Sequence, residues 1–352
     1  MSEYWTCSVF KDADFSVNPQ FTLSQNELLF DKIDNNNKYK FNIFNVKYHC
    51  KWHPALNLDS SKPVLLIPIH NMSDLLRFTL NNLKKYGLFS IVDVAIIDDR
   101  SSENIQLIAQ EFKCSYLRID NSKGFNFSML NNIAAYIFYK LGYSTCVLWN
   151  SDLWNVDRDS FKKLIKKHNQ YKSKISGTKL LYPSKEMAFC LSNQENIDMD
   201  DKNFEKYYSK SHSHLKGGKW RGTVQFGGCD WLNTSATSPI KLSPVHYGRF
   251  RRATDKEVNC DREGSFVTGA LMILELDYFI KMGGFNPSLS KYFQDVDYCI
   301  RVLKTGKKIN YFGKDISFYH AESLSHHNSE VQKVDKLVEN DHYLFASLWN
   351  SN

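Results

Sequence analysis

No apolar run in these 352 residues reaches the roughly 18 needed to cross a bilayer, so a membrane-spanning helix is not expected. The opening residues, MSEYWTCSVFKDADF, carry neither the basic nor the apolar stretch of an export signal. The eight cysteines (Cys7, Cys50, Cys114, Cys146, Cys190, Cys229, Cys260 and Cys299) contain no C-x-x-C pair. Without an export signal they read as reduced thiols of a cytoplasmic protein. No G-x-G-x-x-G follows a strand and no G-x-x-x-x-G-K-[ST] occurs. Those absences argue against a dinucleotide dehydrogenase and against a P-loop NTPase. Zinc-finger spacing and a recognition-helix signature are also missing, so no nucleic acid is expected as partner. His49-Cys50-Lys51-Trp52-His53 offers two imidazoles and a thiol but no second ligand pair. It reads as a loop that packs Trp52 onto the main body rather than as a zinc site.

What is present suffices for a large core. The chain is 42% hydrophobic and 14% aromatic, in keeping with two domains or one large α/β domain. Net charge is +7, spread over Lys84-Lys85, Lys162-Lys163, Lys166-Lys167, Arg249 to Arg252 and Lys307-Lys308. Most such pairs are solvated helix faces; the functional alternative is attraction to phosphate on a nucleotide, a lipid-linked acceptor or a membrane surface.

Residues 1–60 are polar and aromatic without a clear period. Ordered alternation begins at Pro63. Val64–Ile69 is a continuous apolar run, as a parallel strand buried on both faces requires. A helix follows, with Leu75, Leu76, Phe78, Leu80 and Leu83 inward and Ser73 or Asn71 as N-cap. Further strands read at Val92–Ile97, Tyr116–Ile119 and Thr145–Trp149, with helices over about 103–112 and from 127 to about Leu141. Strands and helices in alternation imply a right-handed parallel sheet, whose ligands bind beyond the strands' carboxyl ends. Asp98, and Asn150-Ser151-Asp152, stand at such ends. Lys174–Pro183 reads as one more strand. Residues 185–262 are aperiodic and resemble binding loops, with Trp220 and Trp231 as candidates either for stacking on a ligand or for core packing. Then comes the turn Thr268-Gly269-Ala270, the apolar run Leu271–Leu276, Gly283-Gly284, and Gln294-Asp295-Val296-Asp297 opening a helix that carries Arg301. Lys308–Phe312 and Asp315–Phe318 read as short strands ending in Tyr319-His320. His326-His327 reads as solvated. Val331–Trp349 reads as a helix with a broad apolar face, able to pack back, self-associate or touch a membrane.

Taken together, Pro68-Ile69-His70-Asn71, Ile97-Asp98-Asp99-Arg100-Ser101, Asn121-Ser122-Lys123-Gly124-Phe125, Asn150-Ser151-Asp152, Val267-Thr268-Gly269-Ala270, Gln294-Asp295-Val296-Asp297 and Tyr319-His320 resemble, in order, the motifs of glycosyltransferase family 2, of the rhamnosyltransferase-like kind. The resemblance covers about residues 62–325. It implies a GT-A fold with a mostly parallel central sheet and flanking helices. The catalytic domain would span 62–325, between an N-terminal appendage (1–61) and a C-terminal helical tail (326–352). It further implies an inverting transfer of a hexosyl or deoxyhexosyl group from a nucleotide-diphosphate donor to a glycan or lipid-linked acceptor in surface polysaccharide assembly, such as capsule or lipopolysaccharide. Mg²⁺ or Mn²⁺ is the implied cofactor, with Asp152 and His320 as its ligands, because a divalent ion neutralises the departing diphosphate. Asp295 would be the base. Pro68, His70, Asn71, Asp98, Lys123, Gly124, Asn131, Asn150, Ser151 and Gly269 would line the donor site. The expected location is cytoplasmic, with peripheral contact at the inner face of the membrane; the tail is offered as a homo-oligomer contact. Gln294 and Asn286 depart from the family's acidic residues. They keep a non-catalytic sugar or nucleotide binder open, and a nucleotidyltransferase is the other alternative.

Overall fold

The structure, a computed structural model, describes residues 31–32, 38–43, 46–121, 124–184, 220–233, 242–263, 266–321 and 331–349. In chain order the elements are β1 (Asp31–Lys32), β2 (Lys38–Ile43), β3 (Val46–His53), β4 (Val64–Ile69), α1 (Ser73–Lys85), β5 (Asp93–Asp98), α2 (Ile105–Glu111), β6 (Ser115–Asn121), α3 (Phe127–Lys140), β7 (Thr145–Trp149), β8 (Leu153–Asn155) and α4 (Ser160–Gln170). Next come β9 (Ile175–Gly177), β10 (Lys179–Leu181), β11 (Val224–Phe226), β12 (Cys229–Asn233), β13 (Leu242–His246), β14 (Asp261–Glu263), β15 (Leu271–Glu275), α5 (Leu276–Lys281), α6 (Gln294–Lys304), β16 (Ile309–Phe312), β17 (Ser317–His320) and α7 (Val331–Trp349).

The fold is mixed α/β. Among the described residues an eleven-stranded sheet runs in the order β1-β2-β3-β6-β5-β4-β7-β15-β9-β16-β14, beside a second sheet, β11-β10-β17-β8, and the β12-β13 hairpin. The parallel arrangement expected from the alternation holds in the middle: β6, β5, β4 and β7 are mutually parallel. β4 is the most apolar of them, as burial on both faces requires, and its Val64, Leu65, Leu66 and Ile67 are all fully buried. Pro68 breaks the run without breaking the sheet. It lies past Leu66, the last residue paired with β7, where a missing N–H costs least. Outside this core the sheet turns antiparallel at β3–β6 and at β7–β15.

Two local readings are corrected. Residues 49–53 form a strand, not a loop: β3 pairs with β6 from Tyr48↔Asn121 to His53↔Tyr116. Tyr48, Cys50 and Trp52 face inward while His49, Lys51 and His53 face out, and Trp52 packs edge-on against Phe138 as a core residue. Lys174–Pro183 is two strands rather than one. β9 joins the large sheet and β10 the small one. Thr178 sits between them and donates its hydroxyl to the Phe312 carbonyl at 2.7 Å. The split needs a glycine, since a Cβ on Gly177 would lie 2.5 Å from Val267 Cβ.

The cap of α1 also differs. Met72 occupies the N-cap in the left-handed region, and no side chain caps the helix locally. Glu103 supplies the carboxylate instead, accepting from the Met72 and Ser73 N–H groups at 3.0 and 2.7 Å. Asn71 faces the other way, its Oδ1 accepting from Ser102 N at 2.8 Å.

Of the three roles open to the terminal helix, the structure shows packing back onto the chain. Phe345 is buried and stacks on Phe293 with ring centres 4.7 Å apart. Trp349 Nε1 donates to Asp297 Oδ1 at 3.0 Å. Asp341, buried, accepts from three successive N–H groups, Ser290 (3.1 Å), Lys291 (2.7 Å) and Tyr292 (2.9 Å). One carboxylate thus fixes the loop that leads into α6. Asp341→Ala would leave those donors without their acceptor. An expected loss on the order of 3 kcal/mol in urea unfolding follows, as for hydrogen bonds to a charged group; a loss below about 0.5 kcal/mol, the usual range for surface substitutions, would show the clamp to be incidental.

Candidate active site

Three parallel strands end along one edge. β4 ends before His70-Asn71, β5 at Asp98 and β7 before Asn150-Ser151-Asp152. Gly124 follows the end of β6 with φ 96°, its N–H bound to Asn121 Oδ1 at 2.9 Å. Lys123 lies outside the described residues.

The β4 and β5 ends are laced into one rim. His70 Nδ1 donates to the Asp99 carbonyl, and Asn71 N donates to Ser101 Oγ at 2.7 Å. Asp98 is fully buried and lies beneath this rim. Its Oδ1 accepts from Ser101 N at 2.8 Å, and its Oδ2 from Tyr116 Oη (2.6 Å) and Arg118 Nη1 (3.1 Å). The carboxylate therefore faces the fold and holds the turn. Burial and the bond to Asp98 push the Tyr116 phenol well above its ordinary range.

At the β7 end the topology brings the remaining residues together. β15 runs antiparallel to β7 with Leu271 opposite Trp149, so the turn before β15 lies against the loop after β7. Asn150 N donates to the Ala270 carbonyl at 3.0 Å. Gly269 N donates to Asp295 Oδ2 at 2.8 Å. β17 pairs with β8, placing His320 opposite Leu153, and Ala321 N donates to the Asp152 carbonyl at 3.0 Å. His320 Nε2 consequently sits 3.4 Å from Asp152 Oδ1, and Asn150 Nδ2 is 3.4 Å from the same nitrogen. Both side chains are deeply set. Ser151 is buried beside them and its carbonyl accepts from Thr79 Oγ1.

A carboxylate oxygen and an imidazole nitrogen facing each other are a fitting donor pair for Mn²⁺ or Mg²⁺. Among the described residues no cluster of three His, Cys, Asp or Glu side chains occurs. An ion here would draw its other ligands from water and substrate phosphate, as Mg²⁺ sites commonly do.

Asp295 and Asp297 separate cleanly. Asp295 lies in the first turn of α6, partly exposed, with Oδ2 on Gly269 N and Oδ1 on its neighbour Val296 N at 2.9 Å. Burial raises its pKa above the ordinary carboxylate value, against the lowering effect of those two N–H groups. Asp297 is buried, with Oδ2 paired to Arg301 Nε at 2.9 Å and Oδ1 to Trp349. Arg301 continues to the Met282 and Gly284 carbonyls at 2.7 and 2.6 Å. Asp297 is thus a structural anchor rather than a helix cap.

Asn131 makes no hydrogen bond to the residues above, and its Oδ1 has no partner among the described residues. It is buried in α3 with Nδ2 on the Phe127 carbonyl at 2.9 Å. Its neighbour Asn132 instead ties α3 to Phe285 through that residue's N–H and carbonyl at 2.9 and 2.8 Å. Trp220 is buried edge-on against Tyr182, a packing role; the Trp231 side chain lies outside the described residues. Gln294 is buried, and its Oε1 has no partner among the described residues.

Two residues that the sequence reading passed over matter here. Gln225, 1% exposed in β11, contacts His320, and a lone amide inside Val224-Gln225-Phe226 was its signal. Asp341 was hidden among the solvent-type charges of an amphipathic helix.

No family model and no curated protein matches the sequence. Among solved structures the chain is similar to the mannosyltransferase PcManGT from Pyrobaculum calidifontis in complex with GDP-Man and Mn²⁺. The identity is 11% and the TM-score 0.42, over 78% of this chain and 62% of that one. It is similar also to S. aureus TarS 1–349, at 11% identity and TM-score 0.42, over 80% of this chain and 70% of that one. These neighbours are glycosyltransferases. The chain spans under two thirds of the mannosyltransferase's length. At such TM-scores the likeness carries no functional argument, which rests instead on the residues above.

The raised pKa of Asp295 has a measurable sign. A carboxyl whose folded pKa exceeds its unfolded one favours folding most below the unfolded pKa, and that contribution is lost as pH rises through the folded pKa. The stability of Asp295→Asn relative to wild type is therefore expected to improve as pH is raised from about 3.5 to 7, read by denaturant unfolding. An opposite trend would mean that the Gly269 and Val296 bonds outweigh burial.

Proposed function

We propose that the chain is a metal-assisted, inverting glycosyltransferase that moves a hexosyl or deoxyhexosyl group from a nucleotide-diphosphate donor to a hydroxyl of a glycan or lipid-linked acceptor. The observation that carries this reading is the juxtaposition at the β7–β15 junction. Asp152, His320 and Asn150 gather on one side of the Gly269-Ala270 turn, and Asp295 is bonded to the turn itself.

Each part has a role in the reaction. The donor nucleoside would rest on the rim built from His70, Asn71 and the Asp98–Ser101 turn, with Pro68 and Gly124 shaping its floor and edge. Asp98 acts on that pocket through the turn it holds. Asp152 and His320 would hold Mg²⁺ or Mn²⁺, which when bound neutralises charge developing on the diphosphate. Asp295 takes the proton of the acceptor hydroxyl as that oxygen bonds to the anomeric carbon. The carbon–oxygen bond to the diphosphate breaks, and its electron pair leaves with the phosphate. One carboxylate and one displacement give inversion. Asp295 suits the task better than Asp297, whose two oxygens are taken by Arg301 and Trp349. A carboxyl with a raised pKa is also a stronger base once ionised.

The same reading covers surroundings. No helix among the described residues is long and apolar enough to cross a membrane. The spread of positive charge, +7 overall, supports a cytoplasmic enzyme of surface polysaccharide synthesis working on an anionic, lipid-linked acceptor at the membrane's inner face. We keep 62–325 as the catalytic unit of this proposal, with 326–352 supporting it through α7.

Mass analysis of products from a panel of nucleotide sugars and hydroxyl acceptors tests the proposal. Transfer is expected only with divalent metal, and Asp295→Asn is expected to lower kcat by about 10²–10⁴-fold while donor binding survives. The activity of wild type should fall as pH drops through the raised pKa of Asp295, because the base must be ionised. Full transfer in excess EDTA would remove the metal role, and a folded Asp295→Asn variant with near wild-type kcat would remove the base.

A further inference from the structure

The segment His246–Arg252 is a basic motif that the reaction does not use, and it connects through Gln225 to His320. Phe250 N donates to the Val224 carbonyl at 2.8 Å, and Val224 N to the Arg251 carbonyl at 2.9 Å, so the turn after β13 lies along β11. Two glycines beside this turn make room for Val258. A Cβ on Gly227 would lie 2.7 Å from Val258 Cγ1, and one on Gly248, at φ 71°, 2.4 Å from the same atom.

A chain of side chains then crosses from this turn to the candidate metal pair. Arg249 Nη2 lies 2.8 Å from His246 Nδ1. Gln225 Nε2 lies 3.1 Å from that same nitrogen, and Gln225 Oε1 lies 3.2 Å from His320 Nδ1. The direction of every bond follows from its starting point. A guanidinium can only donate, so His246 Nδ1 must accept, and the neutral ring carries its proton on Nε2. The Gln225 atom facing an acceptor must be its NH₂ group, which fixes the amide orientation. Its oxygen is then turned to His320, whose Nδ1 must donate. That leaves the lone pair of His320 Nε2 facing Asp152 Oδ1, with the Asn150 amide pointing at the same nitrogen.

We propose that Arg249, His246 and Gln225 form a positioning relay that sets the tautomer of His320, so that its Nε2 is presented unprotonated beside Asp152 as a ready cation ligand. The relay's purpose rests on the metal reading above; its hydrogen-bond order does not. An acceptor behind the outer nitrogen of a metal-binding imidazole orients the ring and raises its basicity, and losing it typically costs 10–100-fold in metal affinity. Here the acceptor is a neutral amide, itself aimed by a cation two side chains away.

Two measurements separate the relay from the metal site. Long-range ¹⁵N–¹H spectra of histidine-labelled, metal-free protein read each tautomer, with signals assigned through His320→Gln and His246→Gln. The expected result near neutral pH is a proton on Nδ1 of His320 and on Nε2 of His246. His320 found with its proton on Nε2, or on both nitrogens, overturns the relay. Calorimetric titration with Mn²⁺ is the second. Gln225→Met is expected to weaken binding about 10–100-fold, Arg249→Met to weaken it less, and Arg249→Lys, which still only donates, to retain most of it. Should wild type bind Mn²⁺, His320→Gln lose it and Gln225→Met keep it fully, the relay is overturned while the metal site stands. The expected tautomers without Mn²⁺ binding would uphold the relay and overturn the metal reading.

Discussion

The antiparallel pairing of β15 with β7 is the constraint on which the rest depends. Four strands run parallel before it, and their carboxyl ends define an open edge. A fifth parallel strand would have placed its own carboxyl end there. β15 instead brings its amino end, the turn 268–270, against the loop 150–152. A short backbone turn can then serve two partners at once. Its carbonyl at Ala270 holds the Asn150 loop, and its N–H at Gly269 holds the Asp295 carboxylate. The candidate ion site and the candidate base are thereby tied to one short peptide segment, anchored where two paired strands of the sheet end.

Support for this arrangement comes from behind it on both sides. The loop before α6 has Phe293 in the left-handed region, a strained choice for a bulky residue. That choice is stabilised by α7, through Phe345 on the ring and Asp341 on the preceding N–H groups. Arg301 and Trp349 then hold Asp297, which fixes the first turn of α6 and so the direction of Asp295. On the other side the small sheet β11-β10-β17-β8 carries both Gln225 and His320. The terminal helix is therefore in contact, through these side chains, with the helix that carries the candidate base, and the small sheet with the candidate ion pair.

Much of this was legible from residues alone. Apolar runs bounded by turn signals gave β4, β5, β7 and β15 with small errors at their ends, because burial on both faces leaves no alternative to Val, Ile and Leu. The pairing of Asp152 with His320 was legible only through motif order, since they lie 168 positions apart and no local period links them. Residues 48–53 alternate inward and outward with a period of two, but the polar residues of the outer face made the stretch read as a loop. The N-cap of α1 failed for a related reason. Asn71 has the right chemistry, but tertiary structure gave its oxygen to Ser102 and left the helix end to Glu103, 31 positions from Met72. Asp98 was placed at the correct strand end, yet its inward role needed Tyr116 and Arg118, which only the folded sheet brings near.

On the proposed reading the β7–β15 junction binds a diphosphate and a divalent ion together. Calorimetric titration of nucleoside diphosphates with and without Mn²⁺ is the direct test. Mn²⁺ is expected to tighten diphosphate binding at least about tenfold, a coupling of about 1.4 kcal/mol, the unphosphorylated nucleoside to gain nothing, and Asp152→Ala to remove the gain. Equal diphosphate affinity with and without the ion in a folded protein would contradict it.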